Sequence, residues 1–343
     1  MSILQAKMIR RRVLVTSTDM MQPGIELLKK TCEVLLCPVP ELTKEEISAG
    51  YPGPMQSRED VLGHLKNSYP IDGIVWSNKV RCDSEILDLA GPSLKAIVTM
   101  SSGFDHMDVD EIKRRGIQVG HSPFALDAAV AEVGVMLALS ASRRAHEGRL
   151  MIERGQWESR PQWLLGHGFE GATVGIVGLG GIGRGILKRL SNFEVKRFLY
   201  AGRSRKPADD ELGAEFVHLD NLLRRSDFVF VACALTNETR QLFDAEAFAK
   251  MKRTAVLVNV ARGPIVDHPE LIRALRHGTI FAAGLDVTDP EPLPANSELL
   301  QLPNAVITPH MGSCTVKARA DLSILAAQSV LLALSGESMP YPL

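Results

Sequence analysis

At 343 residues the chain is long enough for about two domains, each with a core of its own. Its 39 basic and 40 acidic residues nearly cancel, and it lacks the basic stripe interleaved with aromatics that tracks nucleic acid. A membrane is no better a partner, since the longest apolar run, Ala128 to Ala141, is short for a bilayer and contains Glu132, which predicts a buried helix.

Arg10, Arg11 and Arg12 could belong to a transit peptide, but "VLVTST" begins a first strand at Val13. Cleavage would therefore remove fold-forming residues, and the cytoplasm is the expected compartment. Up to about residue 122, the runs "RRVLVTST", "CEVLLCPV", "DGIVWS", "LKAIVTMSS" and "IQVGHS" alternate with helix-length segments, which predicts a parallel sheet of βαβ units. Between Val39 and Tyr69 the turn residues of "YPGPMQSRED" predict a helix followed by an exposed loop. A long apolar helix is expected from Ala125, and "RGQWESRPQWLLGHGFEG", with two tryptophans and no clean period, reads as an arm or linker.

A second series follows, "ATVGIVG", "RFLYAG", "EFVHL", "FVFVAC", "AVLVNV", "FAAGLDV" and "AVITPH", whose continuous apolar character fits a parallel sheet covered on both faces. The last segment, "TVKARADLSILAAQSVLLALSG", has helical periodicity with no strand after it and is expected to cross back to the first domain. The expected domains are 1–122 with 315–343, and 123–314. Cys32, Cys37, Cys82, Cys233 and Cys314 form no CxxC pair, and no histidine cluster has metal-ligand spacing. Reduced thiols and no bound metal are expected.

Gly178, Gly180 and Gly183 stand at GxGxxG spacing in Gly178-Leu179-Gly180-Gly181-Ile182-Gly183, after a strand and at the mouth of a helix. The first allows a tight turn, the second lets backbone approach a pyrophosphate, and the third packs helix on strand. In a dinucleotide fold the next strand ends in an acidic residue that binds the ribose 2′-hydroxyl of NAD. Here it ends Gly202-Arg203-Ser204-Arg205-Lys206, three cations and a hydroxyl with no carboxylate. Guanidinium groups bind a 2′-phosphate through paired charged hydrogen bonds, so the cofactor expected is NADP(H) in preference to NAD(H), with Arg203 and Ser204 as its clamp. An ordinary basic surface turn is the competing explanation, and it leaves the missing carboxylate unexplained.

Three later strands end in candidate reactive groups. "VNVARGPIVDHPELIRAL" places Arg262 between strand and helix, "GLDVTDPEPLP" carries Asp286 and Glu291, and "ITPHMGS" carries His310 and Ser313. Gathered at one sheet edge they suit a carbonyl substrate that also has a carboxylate. Arg262 would grip the carboxylate, His310 would protonate the carbonyl oxygen, and Glu291 would keep the imidazole oriented and charged. Each also has a plainer explanation: His310 is one of nine histidines, Arg262 could cap a helix, and the two acids could be surface charges.

Taken together, the glycine fingerprint, "VNVARGPIVDHPELIRAL", "GLDVTDPEPLP" and "ITPHMGS" resemble the D-isomer-specific 2-hydroxyacid dehydrogenases over essentially the whole chain. Within that family "TMSSGFDHMDVDEIKRRGIQVG", "RFLYAGR" and "GESMP" are most similar to the animal branch that reduces glyoxylate and hydroxypyruvate. The resemblance implies a Rossmann-type doubly wound sheet binding NADP(H), a smaller flavodoxin-like α/β domain binding substrate, a cleft between them, and a homodimer. It implies Arg262, Glu291 and His310 as the catalytic trio. Ser102 and Gly103 would offer amides to the substrate carboxylate, Asp286 would lie near nicotinamide and substrate, and Gly312 and Ser313 would line the same pocket. Further cofactor contacts would come from Leu179, Gly180, Gly181, Gly202 to Arg205, Ala234 and Val260. The products would be glycolate or D-glycerate.

Departures from the pattern are Phe193-Glu194 where the family often has Phe-Gly, a longer "SYPIDG", and a Trp157 to Trp163 segment too different to assign a tryptophan to a partner's pocket. Rival readings are a phosphoglycerate or D-lactate dehydrogenase of the same family, a nucleotide-sensing corepressor, and a redox-inactive structural protein on the same fold. A regulatory domain would often follow the first, and the second would normally carry the acidic residue that Arg203 replaces.

Overall fold

The twelve runs of β-branched and apolar residues all form strands, and every strand pairing is parallel. The structure, a computed structural model, describes residues 10–17, 20–37, 56–77, 80–205 and 212–343. Its contacts divide the chain into Met1–Leu126 with Thr315–Leu343, and Asp127–Cys314.

In the first unit β1 (Arg11–Val15), β2 (Cys32–Leu36), β3 (Gly73–Trp76), β4 (Ala96–Thr99) and β5 (Gln118–Gly120) lie in the order β2-β1-β3-β4-β5. This is the flavodoxin-like order, and its switch point falls between β1 and β3. Helices α1 (Gln22–Lys29), α2 (Arg58–Ser68), α3 (Ser84–Ala90) and α4 (Val109–Arg114) connect the strands. The segment expected as a helix and then a loop differs in its described part, which is helix α2. "Ser57-Arg-Glu-Asp60" looks like a turn by composition but is a capping box: Asp60 N donates to Ser57 Oγ at 3.2 Å and Ser57 N to Asp60 Oδ2 at 2.8 Å. Residues 38–55, where the rest of that expectation falls, lie outside the described ones.

In the second unit β6 (Thr173–Val177), β7 (Arg197–Ala201), β8 (Ala214–Phe216), β9 (Phe228–Val231), β10 (Val256–Asn259), β11 (Ala282–Leu285) and β12 (Ala305–Ile307) are ordered β12-β11-β10-β9-β6-β7-β8. Two βαβ halves therefore meet between β6 and β9, the place where such sheets bind dinucleotides beyond their carboxyl ends. Helix α5 (Asp127–Ser142) packs on this sheet so closely that a Cβ on Gly284 would lie 2.8 Å from Leu137 Cβ. After α6 (Ala145–Glu153), residues 154–172 contain turns but no helix or strand, and Trp157 is 68% exposed there. Helices α7 (Gly181–Leu190), α8 (Leu219–Arg225), α9 (Ala245–Lys250) and α10 (His268–Arg276) complete this unit.

Helix α11 (Val316–Ser335) belongs again to the first unit and packs on α1, β3 and β4. It is the described helix long and apolar enough to cross a membrane, yet its Leu322, Ala326, Ala327 and Val330 are wholly buried in the unit's core. The Phe193-Glu194 departure lies beyond the end of α7. Glu194 adopts φ +57 and its carbonyl accepts from Gly171 N at 2.9 Å, a left-handed conformation that glycine takes at less cost.

Candidate active site

Strand β6 is buried up to Val177, and the chain must then turn sharply into α7. Gly178 makes the turn at φ +95, and a Cβ on it would lie 2.6 Å from Cys233 Cα, so both conformation and space demand glycine. A Cβ on Gly183 would overlap the Gly178 carbonyl, so the third glycine lets the helix close on the turn. Gly180 is the contrast: a Cβ there would meet no protein atom within 4 Å. Its backbone faces open space in front of the amino end of α7, which has no side-chain cap. Amides of Gly181, Ile182 and Gly183 at an uncapped helix start suit an anion, so this turn fits a dinucleotide's pyrophosphate. Leu179 offers only backbone, because its side chain is 6% exposed.

The strands on either side of β6 supply the rest of this edge. Gly202 to Arg205 follow β7 and are all exposed, Ala234 follows β9 and is exposed, and Val260 follows β10 and is buried. The Glu238 carboxyl is held below its ordinary range first by the Thr236 hydroxyl and, less strongly, by the Arg203 guanidinium.

The reactive candidates all follow β10, β11 and β12. His310 Nδ1 lies 2.9 Å from Glu291 Oε2 and 3.2 Å from Oε1, and Oε1 also accepts from Thr288 N at 3.2 Å. The imidazole is thereby fixed through one nitrogen, leaving Nε2 as the nitrogen that Glu291 does not engage. Side-chain exposures of 33% and 23% keep the pair within reach of a small molecule. His310 sits at φ +52, an uncommon conformation for a residue with a side chain and one that recurs at functional sites.

Arg262 is partly buried, and its carbonyl accepts from Asn259 Nδ2 at 2.9 Å while Asn259 Oδ1 accepts from Ala261 N at 3.0 Å. A Cβ on the next residue, Gly263, would overlap the Thr288 carbonyl. The Arg262 loop therefore presses backbone against backbone on the loop that carries Glu291.

Asp286, expected near nicotinamide and substrate, directly follows β11. It is 2% exposed, and both oxygens are engaged within the protein: Oδ1 accepts from Thr308 Oγ1 at 2.6 Å and Met311 N at 2.9 Å, and Oδ2 from Gly312 N at 2.8 Å. Its carbonyl accepts from His310 N at 2.8 Å. Asp286 thus shapes the His310 loop, and the reason is simple: a short carboxylate directly after β11 lies level with the amides of the loop after β12. Gly312 is buried behind this carboxylate, whereas Ser313 is partly exposed.

Ser102 and Gly103 belong to the first unit, after β4. The carbonyl of Gly103 accepts from Ser101 Oγ at 2.6 Å and that of Ser102 faces His121 Nδ1 at 2.8 Å. These bonds hold the turn by its carbonyl side.

Sequence reasoning missed Asn259, Gly263, Thr288 and Thr308, which position the reactive groups. Asn259 was signalled, as the one polar residue closing the apolar run "VLVN", and Thr308 stands two residues before His310. The overlap at Gly263 has no local signal, because its neighbour is 25 residues away.

A glycine turn opening a helix, beside a His–Glu pair at the same edge of a doubly wound sheet, defines the class as a nicotinamide-dependent dehydrogenase. Residues 135–312 match the family model described as D-isomer specific 2-hydroxyacid dehydrogenase, NAD binding domain. A glyoxylate reductase/hydroxypyruvate reductase of Homo sapiens is 50% identical over 263 residues, 76% of this chain and 80% of its own. A glyoxylate reductase of Thermofilum pendens is 40% identical over 336 residues, 97% of this chain and 94% of its own. In solved structures, an NADPH-dependent glyoxylate/hydroxypyruvate reductase from Sinorhizobium meliloti, in complex with NADP and malonate, superposes with a TM-score of 0.79 at 27% identity, covering 97% of each chain. The chain therefore belongs to the D-isomer-specific 2-hydroxyacid dehydrogenase family, oxidoreductases that work on 2-hydroxy acids with a nicotinamide cofactor.

Proposed function

We propose that the protein reduces small 2-oxo acids, glyoxylate to glycolate and hydroxypyruvate to D-glycerate, with NADPH preferred over NADH. The observation that carries this reading is the His310–Glu291 pair at 2.9 Å, set on the loop that Asp286 holds. A protonated imidazole fixed through Nδ1 presents Nε2–H to a carbonyl oxygen, and the Glu291 carboxylate stabilises the charge. When bound, the cofactor supplies a hydride from C4 of its nicotinamide to the carbonyl carbon. The proton from His310 Nε2 completes the hydroxyl, so the product is the 2-hydroxy acid.

Arg262 binds the substrate carboxylate, since a guanidinium matches its two oxygens. Ser313 lines the same pocket. The pyrophosphate is held by the backbone of Gly178 to Gly183, and Leu179, Ala234 and Val260 flank it. Arg203, Ser204 and Arg205 take the 2′-phosphate, for which the absence of a carboxylate at that strand end argues directly. The Homo sapiens and Sinorhizobium meliloti relatives, named for the same two substrates, support the substrate class, and the latter's NADP supports the cofactor. A cytoplasmic homodimer is part of the same proposal, with exposed Ile152, Trp157 and Leu165 as the surface for a second copy.

The test is the loss of nicotinamide absorbance with purified protein, NADPH or NADH, and each of glyoxylate, hydroxypyruvate, pyruvate and phosphohydroxypyruvate. Fast oxidation of NADPH by the first two supports the proposal. Binding of NADPH with no turnover on any of them overturns it.

A further inference from the structure

We propose that His268 is a positioning residue for this reduction, an acceptor that fixes the turn carrying Glu291 through the amide of Asp289. The inference rests on the proposed roles of His310 and Glu291 and extends them to a residue that touches neither substrate nor cofactor.

His268 is the first residue of α10, behind the Asp267 cap, and is 7% exposed. Its Nδ1 accepts from Asp289 N at 3.3 Å. A ring nitrogen accepts only when it carries no proton, so the neutral ring must hold its hydrogen on Nε2. That nitrogen is buried without a hydrogen-bond partner. Leaving a buried donor unmet is costly, and a leucine would fill the same space without that cost. What a leucine lacks is an acceptor for Asp289 N, and that bond is what the histidine supplies.

The bond matters because of what the turn carries. Thr288, next to Asp289, donates its amide to Glu291 Oε1, and its hydroxyl donates to Pro290 O at 2.9 Å. Glu291 Oε1 and Oε2 both face His310 Nδ1. A short series of bonds thus links His268 to the imidazole that delivers the proton. Burial pushes the His268 pKa below its ordinary value, partly offset by the Asp289 backbone and then by the Asp289 and Asp267 carboxylates, so the ring stays an acceptor. His268, Asp289 and Glu298 line one surface depression, and the Glu298 carboxylate there is paired with Arg276 at 2.5 Å.

The experiment compares His268→Asn, whose side-chain oxygen reaches the Nδ1 position, with His268→Leu, which has no acceptor, and uses His268→Met if leucine is not tolerated. Glu291→Gln is measured in parallel. Each variant is assayed for glyoxylate reduction across pH, for NADPH affinity and for its melting curve. We expect leucine to lower kcat about tenfold, with KM and NADPH affinity within about twofold, and to move the pH profile in the same direction as Glu291→Gln does. Asparagine should restore kcat to within about threefold of the natural protein. A leucine or methionine variant with natural kcat and pH profile overturns the proposal. So does an asparagine variant as impaired as leucine while melting normally. A fully active Glu291→Gln overturns the underlying catalytic reading itself, whereas an impaired one beside an unaffected leucine variant removes His268 alone.

Discussion

The carboxyl edge of the second sheet carries two regions built in opposite ways. The turn after β6 is made of backbone: of its six residues, Gly178 to Gly183, four are glycines that set its shape by leaving out side chains. The loops after β10, β11 and β12 are made of side chains, from Asn259 to Gly312, that hold one another across gaps in sequence. The first is specified by a local steric rule. The second is specified by packing and by bonds between distant loops, so its vulnerable points include residues that never meet the substrate.

Short of removing the reactive pair itself, the largest effect should come from breaking that mutual bracing. Gly263→Ala would force the Arg262 loop off the Thr288 backbone, and a displacement near an ångström costs about 100-fold in turnover. Steady-state kinetics should show this loss with NADPH affinity retained. A weakened cofactor site with normal turnover would show that the two regions are not separate.

The basic end of β7, the strand beside β6, is by contrast a place where side chains decide. Arg203→Ala should remove about 1.5 to 3 kcal/mol of NADPH binding, roughly 10- to 150-fold, and leave NADH nearly unchanged. Equal losses for both cofactors in a titration would count against the clamp.

Smaller effects sharpen the steric side of the comparison. Glu194→Gly relieves a left-handed conformation outside both regions and should stabilise the protein by roughly 0.5 to 1 kcal/mol after glycine's own entropy cost, with activity unchanged. Calorimetry reads this directly. Asp127, whose carboxylate lies against Gly181, has its carboxyl raised above the ordinary range by burial. A raised folded-state value favours the acid form, so this group's contribution is full below the unfolded value and is lost as pH rises through the folded one. Asp127→Asn, neutral throughout, should therefore gain stability over the natural protein at neutral pH, and melting curves should converge as pH falls toward about 4. A gain that grows in acid would reverse the assignment.

The same contrast explains what could be read from the chain. All twelve strands were legible because parallel strands buried on both faces are continuous apolar runs, and the glycine turn was legible because its constraint is local. Arg262, Glu291 and His310 could be named from their motifs, but the 2.9 Å pairing of two of them depends on β11 lying beside β12. That Asp286 also holds the His310 loop was not legible, because nothing within "GLDVTDPEPLP" shows that Thr308, Met311 and Gly312 present donors to it. The capping box at Ser57 was hidden by turn-like composition, although its spacing was in plain view.

The measurement that tests the central claim most directly is a double-mutant cycle on single-turnover NADPH oxidation with glyoxylate, using His310→Ala, Glu291→Gln and both together. A general acid and its partner act as one unit, so His310→Ala alone should cost about 100- to 10,000-fold and the second change almost nothing more. Losses that multiply, or a His310→Ala protein that turns over normally, would contradict the account.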